Sequence, residues 1–119
     1  LPLISQDAPF SDILNIISSK GYGIVGLKND IGEMSGVITD GDVRRYITKN
    51  TDGSMKGVMF GTSGKEIMTK CFVSFEENQS CAKILSILEQ KNISSAFVLK
   101  NGKPHGLISM LILIQAGVA

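Results

Sequence analysis

The chain has 119 residues, 43% of them hydrophobic, and its 12 Lys and Arg nearly cancel 11 Asp and Glu for a formal net charge of +1. That length allows one ordinary domain, or two very small units sharing a core, and excludes anything larger. The cations are scattered along the chain, so the basic footprint that nucleic acid or an anionic membrane surface requires is missing.

The opening "LPLISQDAPF" carries no basic segment leading into an apolar run, so it shows no secretory signal. It starts at Leu1 instead of Met, which suggests a fragment of a longer protein. "PLIS" reads as a short strand. "DILNIISSK" follows as an amphipathic helix with apolar residues at Ile13, Ile16 and Ile17, the spacing that lines one helical face. Asp7, ahead of Ala-Pro, is a plausible N-cap for it. A strand "GIVGL", a turn "KNDIGEMS" and a second strand opening at Gly36 come next, then a helix from Asp40 to about Asn50.

"TDGSMKGVMFGTSGKEIMTK" has four glycines and little periodicity, and reads as a linker over 53–68 with one helical turn at Lys65 to Met68. Its "GTSGKE" departs from a phosphate loop, with Met59 where that motif needs Gly and Glu66 where it needs Ser or Thr. Met55, Val58, Met59 and Phe60 form an apolar group there that suits a lid or packing segment, or a subunit interface.

The order then repeats at about seventy residues. "FVSF" is a strand, and "KILSILEQK" a helix whose stripe is Cys81, Ile84, Leu85 and Leu88 and whose expected N-cap is Asn78. The strand "AFVL", the turn "KNGKPH" with its strong Asn101-Gly102 hairpin signal, a strand opening at Gly106 and a helix from Met110 to about Ala116 complete it. "DILNIISSK" lies over "KILSILEQK" with Ile13, Leu14, Ile16 and Lys20 matched by Ile84, Leu85, Ile87 and Lys91. The fold class is therefore α+β. Each repeat is strand, helix, strand, strand, helix, with repeat 1 over 1–52 and repeat 2 over 69–119. One three-stranded sheet buries only one face against two short helices, so the two repeats are expected to pack sheet to sheet with pseudo-twofold symmetry.

"GVITDGDVRRY" gathers polar groups at a strand-to-helix junction. Thr39 and Asp42 have the spacing of a capping box, and Asp40 and Asp42 suit the positive end of a helix dipole. The same groups suit a ligand. Free N–H groups and a hydroxyl at a helix start accept an anion, a carboxylate one turn in can take both hydroxyls of a ribose, and Arg44 and Arg45 can contact phosphate. Both readings stand at this point.

Two repeats of this order, with Gly-x-x-Thr-x-x-Asp in "GVITDGD" and "KEIMTK" opening the second, resemble a tandem of cystathionine-beta-synthase (CBS) domains, a Bateman module. The resemblance covers essentially the whole chain. More narrowly, "GVITDGDVRRYI" and the closing "LIQAGVA" resemble the C-terminal regulatory part of D-arabinose 5-phosphate isomerases of the KpsF/GutQ type. This implies a sugar isomerase (SIS) domain ahead of Leu1 that interconverts ribulose 5-phosphate and arabinose 5-phosphate, feeding synthesis of 3-deoxy-D-manno-octulosonate (Kdo) for lipopolysaccharide or capsule.

The resemblance further implies a nucleotide or nucleotide-sugar ligand in a cleft between the repeats, with CMP-Kdo favoured and AMP or another adenine nucleotide next. Thr39 would face the phosphate and Asp42 the ribose diol. Ile38 and Asp40 would line the turn, and Tyr22, Gly23, Thr69, Lys70 and Ser95 would complete the pocket. In the second repeat Gly106 and Ser109 match, but Ile112 stands where the ribose-binding Asp belongs, and an aliphatic side chain cannot accept hydroxyl hydrogen bonds. A second site around Ser109 and His105 is accordingly expected to be weak.

Other candidates give little. His105 is the single histidine, has no carboxylate or serine beside it in sequence, and reads as a surface or rim residue. Cys71 and Cys81 lack metal-ligand spacing and read as reduced, structural cysteines of a cytosolic, hence cytoplasmic, protein. No catalytic residue, metal site or cofactor is expected. "LISMLILIQAGVA" is too short and too interrupted to span a bilayer, so no membrane partner is expected either. Its surplus of apolar residues, with Val43, Tyr46 and Ile47 of the earlier helix, points to a homodimer. Two functions of different class survive: a ligand-sensing regulatory module, and a structural, oligomer-forming appendage with a vestigial cleft.

Overall fold

The computed structural model describes residues 1–50 and 55–117. The repeat boundary expected at residues 52 and 53 and the last two residues of the closing tail lie outside them. The described chain separates into two compact units, Leu1–Phe72 and Val73–Ala119.

The first unit runs β1 (Leu3–Ser5), α1 (Phe10–Lys20), β2 (Ile24–Lys28), β3 (Met34–Thr39), α2 (Asp40–Lys49), α3 (Met55–Gly61) and α4 (Gly64–Ile67). β1 pairs parallel with β2, and β2 antiparallel with β3. The β2–β3 turn is tied by Asn29, whose Oδ1 accepts the Ile31 and Glu33 N–H groups at 3.1 and 3.0 Å. Ile13 and Ile17 of α1 bury against Val25, Leu27 and Ile38 of the sheet, with Ile16 and Val43 packed partly buried around them. Each fully buried aliphatic contributes about 1.5–3 kcal/mol by leaving water.

The second unit has the same plan: β4 (Ser74–Glu76), α5 (Cys81–Gln90), β5 (Ser95–Lys100), β6 (Lys103–Ser109) and α6 (Met110–Gln115). β4 is parallel and β6 antiparallel to β5. Its core joins Phe75, Ile84, Leu85, Leu88, Ala96 and Leu113. Asn101 and Gly102 sit at φ of 55° and 79°, the two positive values a two-residue hairpin turn of this hand requires. Both hairpins carry one irregularity, between Leu27 and Lys28 on β2 and between Val98 and Leu99 on β5, which leaves Ser35 and His105 as the extra residues on the facing strands.

Several expectations need correction. The stretch read as a linker has its expected helical turn as α4, adds the helix α3, and is fastened to the first unit. Phe10 donates to the Thr62 carbonyl at 2.8 Å, Gly64 to Ala8 at 2.9 Å and Lys65 to Gln6 at 2.8 Å. Gly64 is buried against the side chains of Leu27 and Ile13, so its lack of a side chain is a packing requirement. Lys65 Nζ lies 3.0 Å from Asp7 Oδ1, and this hydrogen bond raises the lysine pKa above its ordinary value. Asp7 therefore caps nothing: the N-cap of α1 is Pro9, without a side-chain hydrogen bond, while Ser80 and not Asn78 caps α5 through the Lys83 N–H. Cys81 leaves the apolar stripe because it occupies the first, exposed position of α5, and Cys71 is exposed as well, so both are free thiols but neither has the structural role expected of it. Val58 and Met59 are half-buried, whereas Phe60 is exposed. The side chain of Met55 lies outside the described residues.

Candidate functional site

Thr39 ends β3 paired with Ile24, and one residue on the Asp40 N–H donates to the Gly23 carbonyl at 3.0 Å. The β2 entry and the α2 start are thereby locked together. Thr39 is extended (φ −106°, ψ 168°), and both capping-box bonds form: Thr39 Oγ1 accepts the Asp42 N–H at 3.2 Å, and the Thr39 N–H donates to Asp42 Oδ2 at 3.0 Å. The other carboxylate oxygen, Oδ1, accepts from Arg45 Nη2 at 2.6 Å. Asp42 is 18% exposed and Arg45 66%. The capping-box reading thus describes the geometry, and it fixes one carboxylate oxygen while the second is left to Arg45.

Gly23 is favoured here by its backbone, and the exposed Asp40 side chain lies close beside it. Its φ is +70°, and a Cβ built on it would stand 2.9 Å from Asp40 Oδ2. Asp40 and Tyr22 are exposed beside it, and Ile38 is fully buried, supporting the turn from within the core. Thr69 exchanges two backbone bonds with Val37, at 2.9 and 3.1 Å, and so lies along the edge of β3 two residues before the cap, with Lys70 exposed after it. In the first unit the structure therefore gathers Gly23, Ile38, Thr39, Asp40 and Asp42 at one junction, with Thr69 on the neighbouring edge.

A surface cleft of about 200 Å³ opens beside this junction, lined by Asp42, Arg45, Tyr46, Lys49, Glu66 and Ile67. By itself it is smaller than the roughly 300–1,000 Å³ of ordinary small-molecule sites. Tyr46 forms its wall, held by the Phe10 ring at a centroid distance of 5.6 Å and by its hydroxyl, 3.2 Å from Thr62 Oγ1. Nothing in the local sequence points to Lys49 or Glu66 here; the signal available for Arg45 is its acid-to-base, i to i+3 spacing from Asp42.

The second unit repeats the junction without its carboxylate. Ser109 caps α6 by accepting the Ile112 N–H at 3.1 Å, Met110 donates to the Ser94 carbonyl at 2.9 Å, and Ser95 is buried opposite Ser109. Ile112 is 48% exposed. His105 does not join Ser109: they stand four positions apart along β6, about 13 Å. It lies instead 3.6 Å from Glu77 Oε2, whose other oxygen is 3.8 Å from Lys100 Nζ. A cleft lined by Glu89, Asn92, Ile93, Ser94 and Met110 opens on this unit. No cluster of three or more His, Cys, Asp and Glu suited to a metal occurs among the described residues, and no described helix is long and apolar enough to cross a membrane.

The CBS-domain family model matches this sequence twice, over residues 1–49 and 65–118. Arabinose 5-phosphate isomerase GutQ of Escherichia coli O6:H1 is 29% identical over 119 residues, which are 99% of this chain and 35% of that protein. Arabinose 5-phosphate isomerase KdsD of Yersinia pestis is 25% identical over 118 residues, 99% of this chain and 34% of that one. The chain spans about a third of the length of these relatives. Among solved structures, CBSX2 in complex with AMP superposes with a TM-score of 0.82 at 15% identity, covering 99% of this chain and 87% of that one.

Proposed function

The chain belongs to the CBS-domain family as a tandem of two repeats, and from that premise we propose that it is the ligand-sensing regulatory part of an arabinose 5-phosphate isomerase, taking a nucleotide derivative at the Thr39–Asp42 junction. The observation that carries the reading is the carboxylate of Asp42, fixed at the start of α2 by the capping box, with Oδ1 bonded only to the exposed Arg45. Once Arg45 moves off Oδ1 it can accept a ribose diol, while the Thr39 hydroxyl and the first N–H groups of α2 favour a phosphate. Asp40, Tyr22, Gly23, Thr69, Lys70 and, from the second unit, Ser95 are the further contacts of this proposal. The AMP bound to CBSX2 supports an adenine nucleotide as one candidate, and the kinship with the isomerases supports CMP-Kdo as a feedback ligand of their pathway. Proton transfer between sugar carbons needs a positioned base and a phosphate cradle, which we assign to a separate SIS domain of the parent protein.

Leu111, Ile112 and Ile114 of α6 are exposed at 64%, 48% and 47%, and a second copy covering them is the proposed dimer contact. The residues expected to help from the other repeat, Val43, Tyr46 and Ile47, are already half-buried in the first unit. A second reading, a structural appendage with a vestigial cleft, draws on the same site, because both Asp42 oxygens already have partners. Calorimetric titration with CMP-Kdo, CMP and AMP separates the two. Binding that weakens in Asp42→Asn supports the sensor; no heat with any of the three supports the appendage.

A further inference from the structure

Arg45 is 66% exposed, and its guanidinium pairs with Asp42. Its guanidinium folds back along the first turn of α2, with Nη1 3.2 Å and Nη2 3.4 Å from where a Cβ on Gly41 would stand, so the glycine leaves it room. From there Nη2 reaches Asp42 Oδ1 at 2.6 Å, the one oxygen that the capping box does not use. Four residues on, Lys49 lies on the same helical face, lines the same cleft, and makes no ion pair with any described residue. Across from it Glu66 spends Oε2 on the Ser63 N–H at 3.3 Å. Arg44, its neighbour in sequence, does not line the cleft.

Resting on the function proposed above, the geometry points to Arg45 as a selectivity residue that keeps the Asp42 carboxylate closed to uncharged ribosides and yields it to ribosides carrying phosphate. A ribose hydroxyl pair can dock on Asp42 only when Arg45 withdraws. For a nucleoside that withdrawal strands a guanidinium without its counter-ion. A nucleotide returns an anion to Arg45, with Lys49 beside it, and charge-assisted bonds to phosphate replace the one given up. The carboxylate is thus masked by a cation that the correct ligand recruits.

The test is calorimetric titration of the whole chain and of its Arg45→Gln and Lys49→Gln variants with AMP, adenosine, CMP and cytidine, with Lys103→Gln as the control for loss of one charge. The wild-type chain is expected to bind the nucleotide of the preferred base at least about tenfold tighter than its nucleoside, a difference of about 1.4 kcal/mol. In Arg45→Gln the two affinities converge from both sides: the nucleotide weakens and the nucleoside strengthens, to within about threefold of each other, while Lys49→Gln weakens only the nucleotide. A wild-type ratio near one, or an unchanged ratio in Arg45→Gln, overturns the inference and leaves the nucleotide sensor standing. Binding of no probe by the wild-type chain overturns both.

Discussion

Replacing Asp42 by Asn separates the two jobs of one side chain. As a cap, the asparagine oxygen can still accept the Thr39 N–H now held at 3.0 Å, and Thr39 Oγ1 still accepts from the backbone of residue 42. What disappears is the charge: an exposed Arg45 pair worth about 0–1 kcal/mol and a helix-dipole term of about 0.3–1 kcal/mol. Urea unfolding of Asp42→Asn should therefore show a loss of about 0.3–2 kcal/mol, and Asp42→Ala, which also leaves the Thr39 N–H to water, should lose more than Asp42→Asn. As a ligand contact the change is larger. An amide offers one acceptor where the carboxylate offers two charged ones, and hydrogen bonds to a charged group are worth about 1.5–3 kcal/mol, or roughly 10- to 150-fold in Kd. Asp42→Asn should consequently hold its fold and lose at least about tenfold in nucleotide affinity by calorimetry. A variant that binds like the wild type, at any cost in stability, would show Asp42 to be a cap and nothing more.

Gly64→Ala should destabilise the first unit by about 1–3 kcal/mol in urea unfolding through overpacking against Ile13 and the Gln6 carbonyl, 3.0 and 3.2 Å from the new carbon. Gly61→Ala meets nothing within 4 Å and should be neutral or stabilising by up to about 1 kcal/mol; equal losses at the two positions would refute the packing argument. Titration should give one ligand per chain, since Ile112 replaces the second carboxylate, and two equivalent sites would contradict this. Light scattering should report a dimer that Leu111→Glu, at a side chain 64% exposed, converts to monomer; a wild-type monomer at tens of micromolar removes the proposed contact.

Periodicity and turn chemistry made the elements legible. Ile13 and Ile17, Ile84 and Leu88 occupy the buried faces their spacing implies, and Asn101-Gly102 forms its hairpin. Helix starts were harder to place, because Asp7 and Asn78 sit within reach of the same first turns that Pro9 and Ser80 actually begin, and local sequence does not fix which carbonyl is extended. The glycines between the repeats misled in the opposite sense. A linker and a close-packed helix start both use glycine, and only the tertiary neighbours Leu27 and Ile13 distinguish them at Gly64. At the junction, Thr39 and Asp42 were readable from spacing alone. The commitment of Arg45 to Asp42 was not, since a long cation on an exposed helix face has solvent, a carboxylate and an anionic ligand all within its reach.

The matched irregularity in the two hairpins bears on descent. A hairpin must twist, but nothing in the physics of strand pairing dictates where an extra residue is inserted, and here it falls at the same step of each, at Ser35 and at His105. The two side chains have since taken unrelated neighbours, the Leu27 carbonyl for one and Glu77 for the other. A shared irregularity at the same step is what a single unit repeated in tandem leaves behind, and the two copies now differ at the start of the closing helix, Asp42 in one and an exposed Ile112 in the other.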